Sequence, residues 1–574
     1  MRSILLLTLL LFHYFSSAYH QINDADKDYF KSPLKIPLFL AGNFGELRGN
    51  HFHAGIDIKT QGRQGLSVHA AASGTISRIK VSPYGYGLAL YIDHPNGYTT
   101  VYGHLRRYNN LISNYVRNIQ YQKESFAVDI QVPKGTFDVK QGDVIAYSGN
   151  TGGSGGPHLH FEIRDTKSEH PVNPLMFNFD IKDNMPPRIK GLMIYPLSTN
   201  ATVNGKHCQK PFKVTGGNGK YKLESGNNIT ANGTIGLGLY MQDFLDGSTN
   251  RCGIFENILR VNDEPIYTFC MDEFDFEDTK YANSYCDYAY QKKHHIRYQK
   301  SYVEANNRMN NFGILKRQGT FEIHDKDTTS VSYRISDVHG NISTLNFIIH
   351  GENIKECTAI QHDDNYVLWK NPYECSTPNA QASFSAGTFY TNLLLSCTER
   401  SGSKNTFSPI ISIGNEYIPT HNSFKLKIKA TNLPKHLQEK ACIISLDENN
   451  KIESYLGGIF INGWVEAEAN QLGNFAIGID SISPSIRALS IDNDMSLNNQ
   501  KQINFKVSDN LSGIRSWRGE IDGKWVLFEY EYKLNKLFYV FDGNRLTMNK
   551  EHSLKLEVND ELGNTTIYRA SFYK

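Results

Sequence analysis

Three short stretches in the N-terminal third carry residues whose types and spacing could do chemistry: His53-Ala-Gly-Ile-Asp57, Tyr102-Gly-His104-Leu105 and Gly156-Pro-His158-Leu-His160-Phe-Glu162. On a strand, side chains at i, i+2 and i+4 share a face, so His53 meets Asp57, and His158 meets His160 once Leu159 and Phe161 turn to a core. Two imidazoles and a carboxylate suit zinc, and a fourth position left to water is what a catalytic zinc site requires. There is no H-E-x-x-H and hence no helix-borne glutamate base. Histidines left over from the metal, with an ordinary pKa of about 6.5, are the candidates to move protons. His51, two residues before His53 on the same face, is an alternative ligand.

A single histidine of this kind is more often a hairpin or core residue satisfied by the backbone. Three such motifs in this order, flanked by Gly103, Gly155, Gly156 and Pro157, point to a metal site. The stretch Gly152-Gly-Ser154-Gly-Gly156 satisfies G-x-S-x-G, but a nucleophile elbow needs a helix after the turn, and residues 157–163 read as strand. His69, His94 and His170 read as strand, hairpin and surface residues, and Glu162 and Asp165 as supporting or solvated carboxylates.

The elements that must position these groups are mostly strands. Residues 88–92 and 98–102 form an antiparallel hairpin around the tip Asp93-His-Pro-Asn-Gly97. Residues 111–124 repeat Leu111, Tyr115, Ile119 and Gln122 at helical spacing, and a strand follows at 126–132. Adjacent Pro186 and Pro187 set a boundary near residue 183. Beyond it a diluted repeat appears: Pro187-x-Ile189-x-x-Leu192 returns as Pro484-x-Ile486-x-x-Leu489, and Asp337-Val-His-Gly-Asn341 as Asp560-Glu-Leu-Gly-Asn564. Two related β-sandwich modules are therefore expected at 183–352 and 479–574, with another β-rich module at 353–478.

With 574 residues the chain is too long for one core, and 60 Lys+Arg against 58 Asp+Glu leave a net charge of +2, without the basic excess that nucleic acid selects. Arg2, the apolar stretch 4–12 and Ser16-Ser-Ala18 read as a signal peptide at 1–18 that is removed on export to the periplasm, cell envelope or medium. The apolar stretch is too short to span a bilayer, so no stable membrane insertion is expected. The eight cysteines all follow residue 207, form no C-x-x-C pair, and read as disulfides or buried thiols.

Residues 44–175 resemble the lysostaphin and LytM-type zinc endopeptidases of bacterial cell walls. The resemblance rests on the three motifs together with Val68-His-Ala-Ala-Ala-Ser-Gly74 and Gly142-Asp-Val-Ile145. It implies one zinc per chain held by His53, Asp57 and His160, with His104 and His158 serving the water and the tetrahedral intermediate. It further implies an antiparallel β-sheet peptidase domain at 19–182, with a helical insertion at 108–135 longer than in compact members and placed to reshape one groove wall. The whole chain then reads as mainly β: this domain, followed by about three β-sandwich, Ig-like modules. The expected substrate is the peptide of peptidoglycan, and the C-terminal modules leave room for cell-envelope protein partners. The alternative is a non-catalytic scaffold of the same fold that activates another wall hydrolase, which with all five residues present would need the groove blocked, for instance by residues 19–50.

Overall fold

The computed structural model describes residues 22–224, 228–353, 365–403, 405–543 and 545–574; the signal-peptide reading of residues 1–18 lies outside them. The protein is mainly β. Its N-terminal part is built on an antiparallel sheet in the order Leu40–Gly42, Ile56–Lys59, His158–Asp165, Tyr98–Leu105, Leu88–Asp93, Gly74–Val81, Val128–Gln131. A smaller sheet joins Ser67–His69, Val144–Tyr147 and Arg107–Tyr108. The hairpin forms as its alternation predicts, with Asp93 opposite Thr99 and Gly97 at φ +86° in the tip. Central strands are buried on both faces, and Ile56, Ile58, Tyr102, Leu159, Phe161 and Ile163 are wholly enclosed.

The helix runs Asn110–Lys123, started by the Asn109 side chain, which accepts from the Ile112 amide (3.0 Å), and ended at Glu124 in the left-handed region. Ile112, Val116 and Gln120 are buried, Tyr115 and Ile119 of the stripe the sequence suggests pack half-buried against the same core, and Leu111 and Gln122 are exposed. Residues outside that face meet the last module. Arg117 pairs with Asp542 (3.5 Å), Glu124 with Arg518 (2.6 Å), and the Arg545 guanidinium lies 3.6 Å from the Tyr121 ring centre. The insertion thus docks a module; it does not wall the groove.

Residues 22–50 add Leu40–Gly42 to the edge of the sheet beside Ile56–Lys59, and Phe30 and Leu34 enter the core. The segment is an extension of the sheet. Beyond Pro187 the first module carries Arg188–Pro196 between Lys210–Gly217 and Thr230–Gln242, together with the hairpin Thr328–Ser336 and Ile342–Gly351. It includes two short helices, Ala282–Tyr285 and Tyr288–His294, that the sequence reading did not foresee. Residues 366–479 form two five-stranded sheets and a two-stranded one, and residues 485–573 a four- and a five-stranded sheet. Cys375 and Cys397 form a disulfide in the middle module, whereas Cys252, Cys270, Cys286 and Cys442 are buried thiols.

Both outer modules pack on the N-terminal sheet. Phe44 and Phe52 belong to the core of the first module, and Phe126 and Tyr121 meet Trp517 and Trp525 of the last. Close approach of the chain ahead of Ile56–Lys59 depends on Gly55, where a Cβ would fall 2.4 Å from the Phe161 carbonyl oxygen. Gly55→Ala should therefore destabilise the sheet by about 1–3 kcal/mol, as overpacking does, seen as a lower first melting transition of the metal-free chain.

Candidate metal centre

The register of the sheet brings the first and third motifs together. His160 lies opposite Asp57 on one side and Gly103 on the other, so one strand carries the second imidazole between the carboxylate and the strand that leads to His104. His53 is not on the strand with Asp57, as simple alternation would have it. It sits in the loop before Ile56, and the turn through Gly55 folds it back over Asp57.

The donors meet closely. His53 Nε2 and His160 Nδ1 lie 3.1 and 2.9 Å from Asp57 Oδ1, and 3.1 Å from each other. A tetrahedral ion with bonds of 2.0–2.1 Å needs donors about 3.3 Å apart, so the triangle fits zinc with a small expansion. The outer atoms are committed elsewhere: His53 Nδ1 donates to the Asn43 carbonyl (2.8 Å), His160 Nε2 donates to Glu162 Oε1 (2.7 Å), and Asp57 Oδ2 accepts from Arg48 Nη2 (2.5 Å). Each imidazole is thereby fixed in the tautomer that turns a lone pair to the centre. All three side chains are buried.

Electrostatics favour a cation at this point. Burial lowers His160, but its hydrogen bonds to Asp57 and Glu162 and their charges win, and it is pushed up to about 9. The proton so favoured occupies the place a divalent ion would take. Burial also raises Asp57, yet His53 and hydrogen bonds from the surrounding imidazoles hold its carboxyl well below the usual range. Burial keeps His53 neutral, as a ligand must be.

His104 and His158 complete the constellation. His104 Nδ1 donates to the Thr151 carbonyl (2.8 Å) and His158 Nδ1 to that of Gly156 (2.8 Å), so both Nε2 atoms face inward, that of His158 3.3 Å from Asp57 Oδ1. Their rings lie 4.8 Å apart, and His104 is 5.7 Å from His160. His104 is held at φ +55°, anchored by its amide to the Tyr86 carbonyl (2.8 Å), a conformation that costs a non-glycine residue about 1 kcal/mol or more. Burial, then His160 and His158, drive its pKa down to about 3, so its Nε2 is an open acceptor at neutral pH.

Other motif residues take quieter places. His51 is exposed on the rim and outside the donor triangle. Ser154 is buried, donates to the Gly156 carbonyl (2.8 Å) and contacts His158 Nδ1 (3.1 Å), and a strand follows it. His69 bonds the Gly142 carbonyl, His94 bonds the Ser73 carbonyl and Thr100, and His170 lies 3.5 Å from Asp275. Three contributors carry no motif signal of their role: Arg48 on Asp57, Tyr86, whose ring centre lies 5.1 Å from that of His160 at a 30° tilt and whose hydroxyl bonds Glu162, and Arg164, which grips Glu162 (2.6 Å). Arg164 was legible in principle, since 160, 162 and 164 share one face of a strand. Arg48 and Tyr86 come from loops with no periodic signal.

The centre opens into a cavity of about 660 Å³ whose walls include Tyr84, Tyr86 and Arg48, with Phe276 and Thr279 from the first module. The loop carrying Thr151 and Ser154 is held from the far side by Lys533, whose Nζ donates to the Asn150 and Ser154 carbonyls.

Residues 51–121 and 125–174 match Peptidase family M23, and residues 364–480 match a Zu5-like domain. The DD-carboxypeptidase/endopeptidase Mpg of Neisseria meningitidis serogroup B (strain ATCC 13091 / M2091) is 36% identical over 123 residues, 21% of this chain and 22% of that protein. An uncharacterized metalloprotease of Haemophilus influenzae (strain ATCC 51907 / DSM 11121 / KW20 / Rd) is 33% identical over 123 residues, 21% of this chain and 20% of its own length. The chain thus spans about a fifth of the length of these curated relatives. Among solved structures, a zinc containing peptidase from Vibrio cholerae shows 28% identity over 25% of this chain and 39% of that one, with a TM-score of 0.20. The catalytic domain of lysostaphin from Staphylococcus simulans shows 26% identity over 24% and 90%, with a TM-score of 0.18.

Glu162→Gln removes the charged acceptor behind His160 and leaves Arg164 buried without its carboxylate. Zinc affinity should fall by about 10- to 100-fold, measured by competition with a chromophoric chelator.

Proposed function

We propose that this chain, which carries a family M23 peptidase domain within residues 51–174, is an exported zinc metalloendopeptidase that hydrolyses peptide cross-links of bacterial peptidoglycan. One observation carries the proposal: three donor atoms from His53, Asp57 and His160 lie within 3.1 Å of one another, each backed by its own outer partner. Zinc bound there supplies a Lewis acid for the scissile carbonyl and brings the pKa of water toward 7.

The chain's own residues do the rest. His104 and His158, locked through Nδ1 by backbone carbonyls, present Nε2 to the reacting atoms; between them they take the proton of the attacking water, return it to the leaving amine and donate to the developing oxyanion. Tyr84, Phe276 and the loop at 150–154 line or frame the groove in which an extended peptide lies. Of residues 22–50, Leu40–Gly42 join the sheet edge, Phe30 and Leu34 enter the core and Arg48 forms one wall of the cavity beside Asp57; a segment that forms a wall and not a plug favours catalysis over the scaffold reading. Support for a wall substrate comes from the neisserial relative, named a DD-carboxypeptidase/endopeptidase. Export rests on the signal-like residues 1–18, and among the described residues no helix is long and apolar enough to cross a membrane. The division at 19–182, 183–352, 353–478 and 479–574, with partners reached through the later modules, belongs to the same proposal.

Incubation of the mature chain with purified sacculi of differing cross-link chemistry, with mass analysis of released peptides, should show cleaved cross-links that disappear on zinc removal and return on zinc addition. Undiminished cleavage by the metal-free chain, or no cleavage of any sacculus by the zinc-loaded one, contradicts the proposal. Asp57→Ala should lose both zinc and activity. His104→Ala should keep one zinc and lose about two to four orders of magnitude in turnover.

A further inference from the structure

Two acidic clusters, buried apart from the exposed His339 and the half-buried Asp509 and neither part of the peptidase centre, sit at equivalent places in the first and last modules. One ligand atom each from Asp183, Asp337 and His339 lies within 4.8 Å of the others, and so do atoms of Asp480, Asp509 and Asp560. The sequence repeat aligns Asp183 with Asp480 and Asp337 with Asp560, and sets opposite Asp509 not His339 but Asp243, which lines the same small void as Asp183 and Asp337. Asp183 and Asp480 each stand four residues before the proline that opens the module, Pro187 or Pro484. Asp243 and Asp509 each begin a D-x-L-x-G turn, and Asp337 and Asp560 each begin D-x-x-G-N.

Hydrogen bonding repeats with the residues. Asn341 Nδ2 donates to Asp337 Oδ2 (2.8 Å) and to the Asp183 carbonyl (3.1 Å); Asn564 Nδ2 donates to Asp560 Oδ2 (2.7 Å) and to the Asp480 carbonyl (2.9 Å). The Ser343 hydroxyl donates to the Pro187 carbonyl, as the Thr566 hydroxyl does to that of Pro484.

What these bonds leave over points to a ligand. Asp243 is 2% exposed, and its Oδ1 is enclosed with no hydrogen-bond partner; Asp183 Oδ2 is enclosed between the Asp337 carboxyl and His339, whose ring nitrogen is 3.6 Å away. Asp509 Oδ1 and Ser512 Oγ are enclosed with no hydrogen-bond partner in the last module. A void of about 10 Å³, room for one water-sized sphere, is bounded by Asp183, Asp243, Asp337 and His339 among others. Burial, then the charges of Asp183 and Asp337, push Asp243 up to about 9, and burial with Asp337 takes Asp183 to about 7. Carboxylates packed this way need either shared protons or a cation.

We propose that each cluster binds one divalent cation of the hard, oxygen-preferring class, calcium above all: Asp183, Asp243 and Asp337 in the first module, Asp480, Asp509 and Asp560 in the last. The second cluster offers oxygen donors alone, and three carboxylates with neighbouring carbonyls suit an ion that takes six to eight oxygens. Asp183 and Asp480 precede the first strand of their modules, whereas Asp337 and Asp560 lie on a late hairpin, so each ion ties an incoming linker to its module. The first module lends Phe276 and Thr279 to the cleft and the last holds the 150–154 loop through Lys533, so the two ions brace both flanks of the peptidase centre.

The test is equilibrium dialysis of the zinc-loaded mature chain against calcium chloride, with magnesium chloride in parallel, and thermal melting with and without calcium. Two calcium ions per chain beyond the zinc, and a melting temperature raised by several degrees, are expected. Asp243→Asn with Asp337→Asn should lower the calcium count to one, and so should Asp509→Asn with Asp560→Asn, while His53→Ala leaves it at two. The proposal is overturned if the wild-type chain binds neither cation at millimolar concentration, or if the count stays at two in both double variants. It is also overturned if the asparagine variants melt higher than the calcium-saturated parent, which is the result for carboxyls that share protons. Dialysis of the wild-type chain decides the matter even if a variant does not fold.

Discussion

One oxygen atom organises the N-terminal part of this protein. Asp57 Oδ1 lies within about 3 Å of an imidazole nitrogen from each side, and it does so because Asp57 and His160 are register partners on adjacent antiparallel strands. A slip of one residue in that pairing would turn every side chain of the strand to its other face and scatter the donors. The outer contacts to Arg48, Glu162 and the Asn43 carbonyl make sense only as consequences of that meeting. They hold the far atoms of side chains whose near atoms converge on one point.

Burying so many polar groups is costly unless each is paired, and the pairing runs outward in chains. From His160 it passes through Glu162 to Arg164, whose guanidinium lies over the Phe276 ring of the first module, 4.6 Å from its centre. From Thr151 and Ser154 it passes through the loop to Lys533 of the last module. The modules therefore touch the site through its supporting shell as well as its walls, and their orientation bears on the geometry of the centre. A spacer would need no such contacts. The acidic clusters at the entry to each outer module lie where that orientation is set.

Much of the site was legible in the sequence because strand alternation is a strong local rule. His158 and His160 could be assigned to one face as soon as Leu159 and Phe161 were seen as core, and the glycines around them signalled turns that expose a groove. The hairpin at 88–105 and the repeat of Pro-x-Ile-x-x-Leu with Asp-x-x-Gly-Asn were equally readable. What failed did so for tertiary reasons. His53 reaches Asp57 through a glycine turn and not along a strand. The helix at 110–123 buries Ile112 and Val116 beside the half-buried Tyr115 and Ile119, and its contacts with Asp542, Arg518 and Arg545 of the last module had no local signal. Arg48, Tyr86 and Lys533 act from loops and from nearly 400 residues away, where no periodicity marks them.

Anomalous diffraction at the zinc edge from crystals of the mature chain tests the central claim most directly. The account predicts one strong peak bonded to His53 Nε2, Asp57 Oδ1 and His160 Nδ1, with His104 and His158 nearby but unbonded. A peak held by His104 or His158 in place of one of the three, or no peak at this point in zinc-supplemented crystals, would contradict it.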